Sequence, residues 1–188
     1  EEVRAIACGL AELGFKRGDN LAIIGDNRPR LYWSMCAAQM LGGVPVPMYQ
    51  DAVAAEMAFV LTDGAIRFAI VEDQEQVDKL LENKPQCPDL LHILYDDPRG
   101  LRHYNQSFLH GLDEVQEMGR IHNRNHPEFL DGEIEQGKSD DVAVMLYTSG
   151  TTGKPKGVCQ THGAFIAAAQ SGCEFDKLGP DDNILSYL

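Results

Sequence analysis

The chain has 188 residues, 44% of them hydrophobic and 24% charged, with a formal net charge of −13 at pH 7. That length supports one core with at most an appendage, and the composition is that of an ordinary globular protein. A body this acidic repels nucleic acid and anionic lipid, so both are excluded as partners unless a local basic patch attracts them.

Val3, Ile6, Ala7, Leu10 and Leu13 repeat at a helical period that Gly14 closes, which predicts a helix over the first residues. Lys16 to Asp19 is a turn and Asn20 to Gly25 a short buried strand. Pro29 suits the first turn of a helix through Trp33 and Met40 that stops at Gly42-Gly43. Trp33 invites a cofactor reading, but an aromatic at helical spacing is more often core. Val44 to Met48 reads as a strand whose prolines suit only an edge or an end. Ala54 to Leu61 then reads as helix, Arg67 to Val71 as strand, Gln74 to Glu82 as helix and Leu91 to Tyr95 as strand. This alternation predicts an α/β fold, a largely parallel sheet with helices on both faces, over a subdomain spanning 1–95.

Over 96–139 the pattern loosens. Between Asp113 and Asp141 stand nine acidic and three basic residues with weak apolar periodicity, predicting a solvated, mainly helical or loop excursion. His122 and His126 are four apart, yet no carboxylate or thiol at metal spacing joins them and Pro127 follows, so they read as surface histidines. The Asp96-Asp97 and Asp140-Asp141 pairs read as loop and strand-start residues, since paired acids alone do not make an acid/base site. The cysteines at 8, 36, 87, 159 and 173 are odd in number and form no C-x-x-C pair, which suits reduced structural thiols and a cytoplasmic location. Peripheral attachment to the inner face of a membrane stays open as an alternative. The apolar stretch from Leu31 to Met48 is interrupted by Ser34, Gln39, glycines and prolines and does not read as a membrane span.

The last segment, 140–188, holds the chain's most informative stretch. Thr148-Ser149-Gly150-Thr151-Thr152-Gly153-Lys154-Pro155-Lys156-Gly157 packs four hydroxyls, three glycines and two lysines into ten residues between the apolar runs Val142 to Leu146 and Val158-Cys159. Glycines leave backbone N–H groups free to turn on an anion, hydroxyls add neutral donors, and the lysines add charge. Pro155 fixes its own φ and biases Lys154 away from helix. In an acidic protein these lysines suit a Mg²⁺-neutralised polyphosphate better than a naked polyanion. The P-loop pattern G-x-x-x-x-G-K-[ST] fails here, because the spacing from Gly150 is too short and Pro155 stands where Ser or Thr is needed. The stretch predicts a strand, a glycine loop and a second strand. Thr161 would then cap a helix through Ala169 with Gly172 near its end. His162 could help order the loop or be a plain first helical residue. Asn183 to Leu188 reads as the start of another strand. The bland alternative for the loop is a mobile Gly/Thr-rich surface turn.

The uninterrupted ten-residue stretch resembles the signature loop of the adenylate-forming superfamily, the AMP-dependent synthetases and ligases. The flanks resemble long-chain fatty acyl-CoA synthetases most: Gly18-Asp19-Asn20-Leu21-Ala22-Ile23, Asp26-Asn27-Arg28-Pro29 before an aromatic pair, and Leu41 through Tyr49. The resemblance implies part of the large N-terminal domain of such an enzyme. Its reaction is ATP-dependent activation of a carboxylic acid, a fatty acid by nearest match, to acyl-adenylate and pyrophosphate, followed by thioester formation with CoA. ATP, Mg²⁺ and CoA are thereby implied, with no resident metal site. The phosphate-binding set carried over is Thr148, Ser149, Gly150, Thr151, Thr152, Gly153, Lys154, Lys156 and Gly157. The adenine-stacking segment, ribose-binding acid, Mg²⁺-binding acid, most of the acyl pocket and the C-terminal domain with its catalytic lysine have no counterpart in these residues. A fragment that is inactive alone is therefore expected, and a non-catalytic nucleotide- or phosphate-binding module is the alternative.

Overall fold

The computed structural model describes residues 1–148 and 155–183. In chain order its first elements are α1 (Glu2–Glu12), β1 (Asn20–Ile24), α2 (Pro29–Met40), β2 (Val44–Met48), α3 (Ala54–Asp63), β3 (Ile66–Val71), α4 (Gln74–Asn83) and β4 (His92–Tyr95). They continue with β5 (Leu109–Gly111), α5 (Leu112–Asn125), α6 (Phe129–Glu135), β6 (Val142–Thr148), β7 (Lys156–Thr161) and α7 (His162–Asp176). The first five strands form one parallel sheet in the order β2-β1-β3-β4-β5.

The sheet is buried on both faces because successive side chains of a strand point to opposite sides. Leu21 and Ile23 of β1, with Phe68 and Ile70 of β3, meet Ile6 and Leu10 of α1, Leu31 of α2 and Val115 of α5. Ala22, Ile24, Ala69 and Val71 turn the other way, toward Met57 and Leu61 of α3 and Val77 and Leu80 of α4. Trp33 packs at the margin of the first core, in keeping with its helical spacing.

Local chemistry sets the boundaries. Pro29 occupies the first turn of α2, where a missing N–H costs nothing. Beyond its end Gly42 takes φ +69°, and a Cβ there would stand 2.1 Å from the Arg17 guanidinium. Asp73 caps α4 by accepting from the Gln76 backbone N–H at 3.3 Å.

Two departures from the sequence reading concern 96–139. The short strand β5 extends the sheet beside β4, and α5 is packed rather than solvated, burying Leu112, Val115, Gln116 and Gly119. Gln116 accepts from Arg30 at 2.6 Å and donates to Glu2 at 2.9 Å, which satisfies its buried amide.

Prolines also decide how the last strands join. The Val44 N–H donates to the Asp19 carbonyl on the β1 side, so the alternate positions, Pro45 and Pro47, turn their missing donors outward. The outer edge of β2 cannot continue a regular ladder, and β6 lies alongside it without entering the sheet. Strands β6 and β7 instead pair with each other, antiparallel.

Candidate functional site

The β6/β7 ladder begins with Val142 opposite Thr161 and ends with Thr148 opposite Lys156. Residues 149–155 therefore connect two strand ends that stand side by side. Ser149, Gly150, Thr151, Thr152, Gly153 and Lys154 lie outside the described residues; Thr148, Lys156 and Gly157 lie within them, and all three are exposed. The strand, loop, strand and helix order expected from sequence holds for the described flanks. Helix α7 starts where Thr161 predicts, its Oγ1 accepting from the Ala164 N–H at 3.2 Å. It runs past Gly172 to Asp176 and closes at Lys177, which takes a left-handed φ of +55°.

The hairpin is fastened to the sheet body at both ends. At its base the Gln39 side-chain amide donates to the Ala143 carbonyl at 2.8 Å, and Arg17 lies 3.9 Å from Asp141. The backbone N–H groups of His162 and Gly163 donate to the carbonyls of Asp141 and Ser139. Near the loop, Met145 and Tyr147 pack against the core beneath α3, and the Tyr147 hydroxyl donates to Asp63 Oδ2 at 2.7 Å. Burial first, then the Asp63 hydrogen bond, pushes the Tyr147 phenol well above the usual tyrosine range. The phenol thus stays protonated and a donor.

Gly157 faces Tyr147 across the ladder. A Cβ there would stand 3.1 Å from the Met145 sulfur and 3.3 Å from Tyr147 Cζ, which gives this glycine a packing reason of its own. Asp63 had no sequence signal as a partner of the loop, because it lies 84 residues away from Tyr147.

His162 sits at the base of the hairpin, beside the Val142/Thr161 end of the ladder. At roughly 3.4 Å per residue the strand alone separates it from Lys156 by about 17 Å. His162 is the first residue of α7, and the loop residues it could help to order, 149–154, lie outside the described residues. His162 lines a cleft of about 470 Å³ with Arg17, Gln39, Glu133, Asp141 and Ile166. The arginine there is already held by Glu133 at 3.2 Å and by Asp141, and the cleft lies at the opposite end of the hairpin from Thr148 and Lys156.

His122 is less exposed than its pattern suggested. Its Nδ1 lies 2.7 Å from Glu12 Oε1, and its ring stacks edge-on against Phe129. Among the described residues no group of three or more His, Cys, Asp or Glu is arranged to hold a metal ion, and none of the helices is long and apolar enough to cross a membrane. All five cysteines are free, Cys8 and Cys87 buried and the others exposed.

Comparison with known proteins adds to this geometry. The family model described as AMP-binding enzyme matches residues 1–188. The chain is 28% identical over 190 aligned residues to the human (Homo sapiens) long-chain-fatty-acid–CoA ligase ACSBG1, covering 98% of this chain and 25% of that protein. It is 30% identical over 190 residues to the Rattus norvegicus long-chain-fatty-acid–CoA ligase ACSBG2, covering 98% and 28%. The chain thus spans about a quarter of the length of the curated relatives it matches. Among solved structures, the N-terminal domain of FACL13 from Mycobacterium tuberculosis matches with a TM-score of 0.66 at 28% identity, over 92% of this chain and 39% of that one. The anthranilate CoA ligase AuaEII, solved with anthranoyl-AMP, shares the fold with a TM-score of 0.74 at 22% identity, over 90% and 30%. With its sheet, its hairpin and its ten-residue loop sequence in one continuous match from Glu1 to Leu188, the chain belongs to the AMP-binding enzyme family.

Proposed function

We propose that this chain supplies the ATP phosphate-binding part of an acid–thiol ligase that converts a carboxylic acid, fatty acids first, to its acyl-adenylate and then to a CoA thioester. The observation that carries the reading is the frame of the loop. A hydroxyl- and lysine-rich sequence is strung between two paired strand ends, Thr148 and Lys156, in a chain whose family is AMP-binding enzymes. Relatives named long-chain-fatty-acid–CoA ligases support the substrate class.

The chemistry follows from where charge develops. As the acid attacks the α-phosphorus, negative charge builds on the departing pyrophosphate, so fixed donors there favour the transition state over the ground state. In this reading Thr148, Ser149, Thr151 and Thr152 offer hydroxyls, and Gly150, Gly153 and Gly157 offer open backbone. Lys154 and Lys156 offset charge. Mg²⁺ enters as part of the ATP complex and neutralises its phosphates; the described residues offer no cluster to hold it independently.

The test is ATP/pyrophosphate exchange by the gene product that carries these residues, with acids from acetate to palmitate. Exchange that requires one class of acid supports the reading and names the substrate. ATP binding without exchange for any acid would overturn it in favour of a non-catalytic nucleotide-binding module.

A further inference from the structure

Tyr147 immediately precedes Thr148, and it is held more closely than its neighbours in the hairpin. Leu146 and Val158 are 39% and 40% exposed, whereas Met145 and Tyr147 turn toward the core under α3. The Tyr147 ring stands edge-on to Phe59, with centroids 6.5 Å apart at 88°. Two glycines keep its slot open. A Cβ on Gly64 would stand 2.9 Å from the Val60 carbonyl oxygen and 3.3 Å from the Tyr147 hydroxyl, and one on Gly157 would crowd Tyr147 from the facing strand. The acceptor is also fixed, since Asp63 is the last residue of α3 and the next carbonyl, that of Gly64, accepts from Asn20 Nδ2 at 2.6 Å. A hydrogen bond between two such well-placed groups specifies an angle as well as a contact.

We propose that Asp63 and Tyr147 form a positioning pair for the nucleotide. By fixing the loop-side end of β6 through the Tyr147–Asp63 hydrogen bond, they set where Thr148, and Lys156 across the ladder, present their polar groups. Neither residue touches phosphate; both act through the strand end. The proposal rests on the phosphate-loop reading given above. Because Asp63 is exposed, its carboxylate is rehydrated when the phenol is lost, so the pair matters for geometry more than for stability.

The experiment compares wild type, Tyr147→Phe, Asp63→Ala, Asp63→Asn and the Tyr147→Phe/Asp63→Ala double variant in the full gene product. It measures ATP/pyrophosphate exchange, with KM for ATP and KM for the acid determined separately, alongside the thermal midpoint. Tyr147→Phe and Asp63→Ala are each expected to raise KM for ATP about tenfold, as loss of one well-placed hydrogen bond would. KM for the acid should stay within about twofold. Asp63→Asn, which keeps an acceptor oxygen, should recover most of the loss, and the double variant should be no worse than either single one. Equal rises in both KM values, additive effects in the double variant, or failure of Asn to rescue would each overturn the pair as a positioning device. A wild type that exchanges normally, with variants that match it, removes this proposal and leaves the proposed function standing. A wild type that does not exchange at all removes both.

Discussion

Gly119 of α5 sits against Gly9 of α1 so closely that a Cβ on Gly119 would stand 1.8 Å from the Ala5 carbonyl oxygen and 2.6 Å from the Gly9 nitrogen. The converse holds too, since a Cβ on Gly9 would meet the Val115 carbonyl oxygen at 2.1 Å. Neither glycine has a positive φ, so what each supplies is room for two helix backbones to touch. The nearest obstructing atom in each case, and every one that faces Gly119, belongs to the main chain and cannot swing aside. Gly119→Ala is therefore expected to cost about 3 kcal/mol, the upper part of the usual range for overpacking. Urea denaturation checks this, and an unchanged midpoint would mean that the helices can separate at no cost.

His92 and His110, on neighbouring parallel strands, bring Nδ1 and Nε2 within 3.0 Å. One ring nitrogen donates and the other accepts, so the pair cannot hold two charges without repulsion. Burial lowers the pKa of both. For His92 the neighbouring His110 and Arg67 lower it further, while Glu114 partly offsets the effect of burial at His110. The unfolded chain then binds more protons than the folded one below the ordinary histidine value of 6.5. Stability should hold above that value and fall as pH drops below it. His110→Gln, which keeps a hydrogen-bonding side chain at the site, should flatten the fall, as read from denaturation midpoints between about pH 7 and pH 5. A slope that is unchanged in the variant would assign the acid sensitivity to other groups.

At the start of α7, Thr161 Oγ1 accepts from Ala164 N–H, and among the described residues the helix buries none of its own side chains. With so little packing to hold it, the cap matters locally. Thr161→Ala should cost about 1 kcal/mol of local helix stability. Hydrogen exchange at the Ala164 amide should accelerate by about the corresponding fivefold, while exchange in β1 and β3 stays as it was. Equal acceleration across the sheet would contradict a local role.

Much of the sheet was legible because its strands are continuous apolar runs. Leu21 to Ile24 and Phe68 to Val71 are buried on both faces, and Pro29 and Gly42 mark the ends of α2 as their chemistry requires. Pro45 and Pro47 even announced an edge strand. The segment around α5 was misread for a physical reason: it packs through Gly119 and a satisfied Gln116 as well as through Leu112 and Val115, so apolar periodicity understates its burial. Strand β5 has only three residues, Leu109-His110-Gly111, and no periodic signal at all. The loop's own sequence pointed to phosphate without help from the fold. Its anchor did not, because the Tyr147–Asp63 bond joins residues 84 apart, and only the folded chain brings them together.

The most direct test of the phosphate role uses Lys156, whose backbone stands opposite Thr148 at the end of the ladder. Lys156→Ala in the full gene product should slow adenylate formation by about 10²-fold or more, as removal of a transition-state charge partner does. Thioester formation from preformed acyl-adenylate, in which no pyrophosphate departs, should change only a few-fold at most. Single-turnover measurement of the two half-reactions gives the answer. A selective loss of the first step is the predicted result, and equal slowing of both steps would contradict the account.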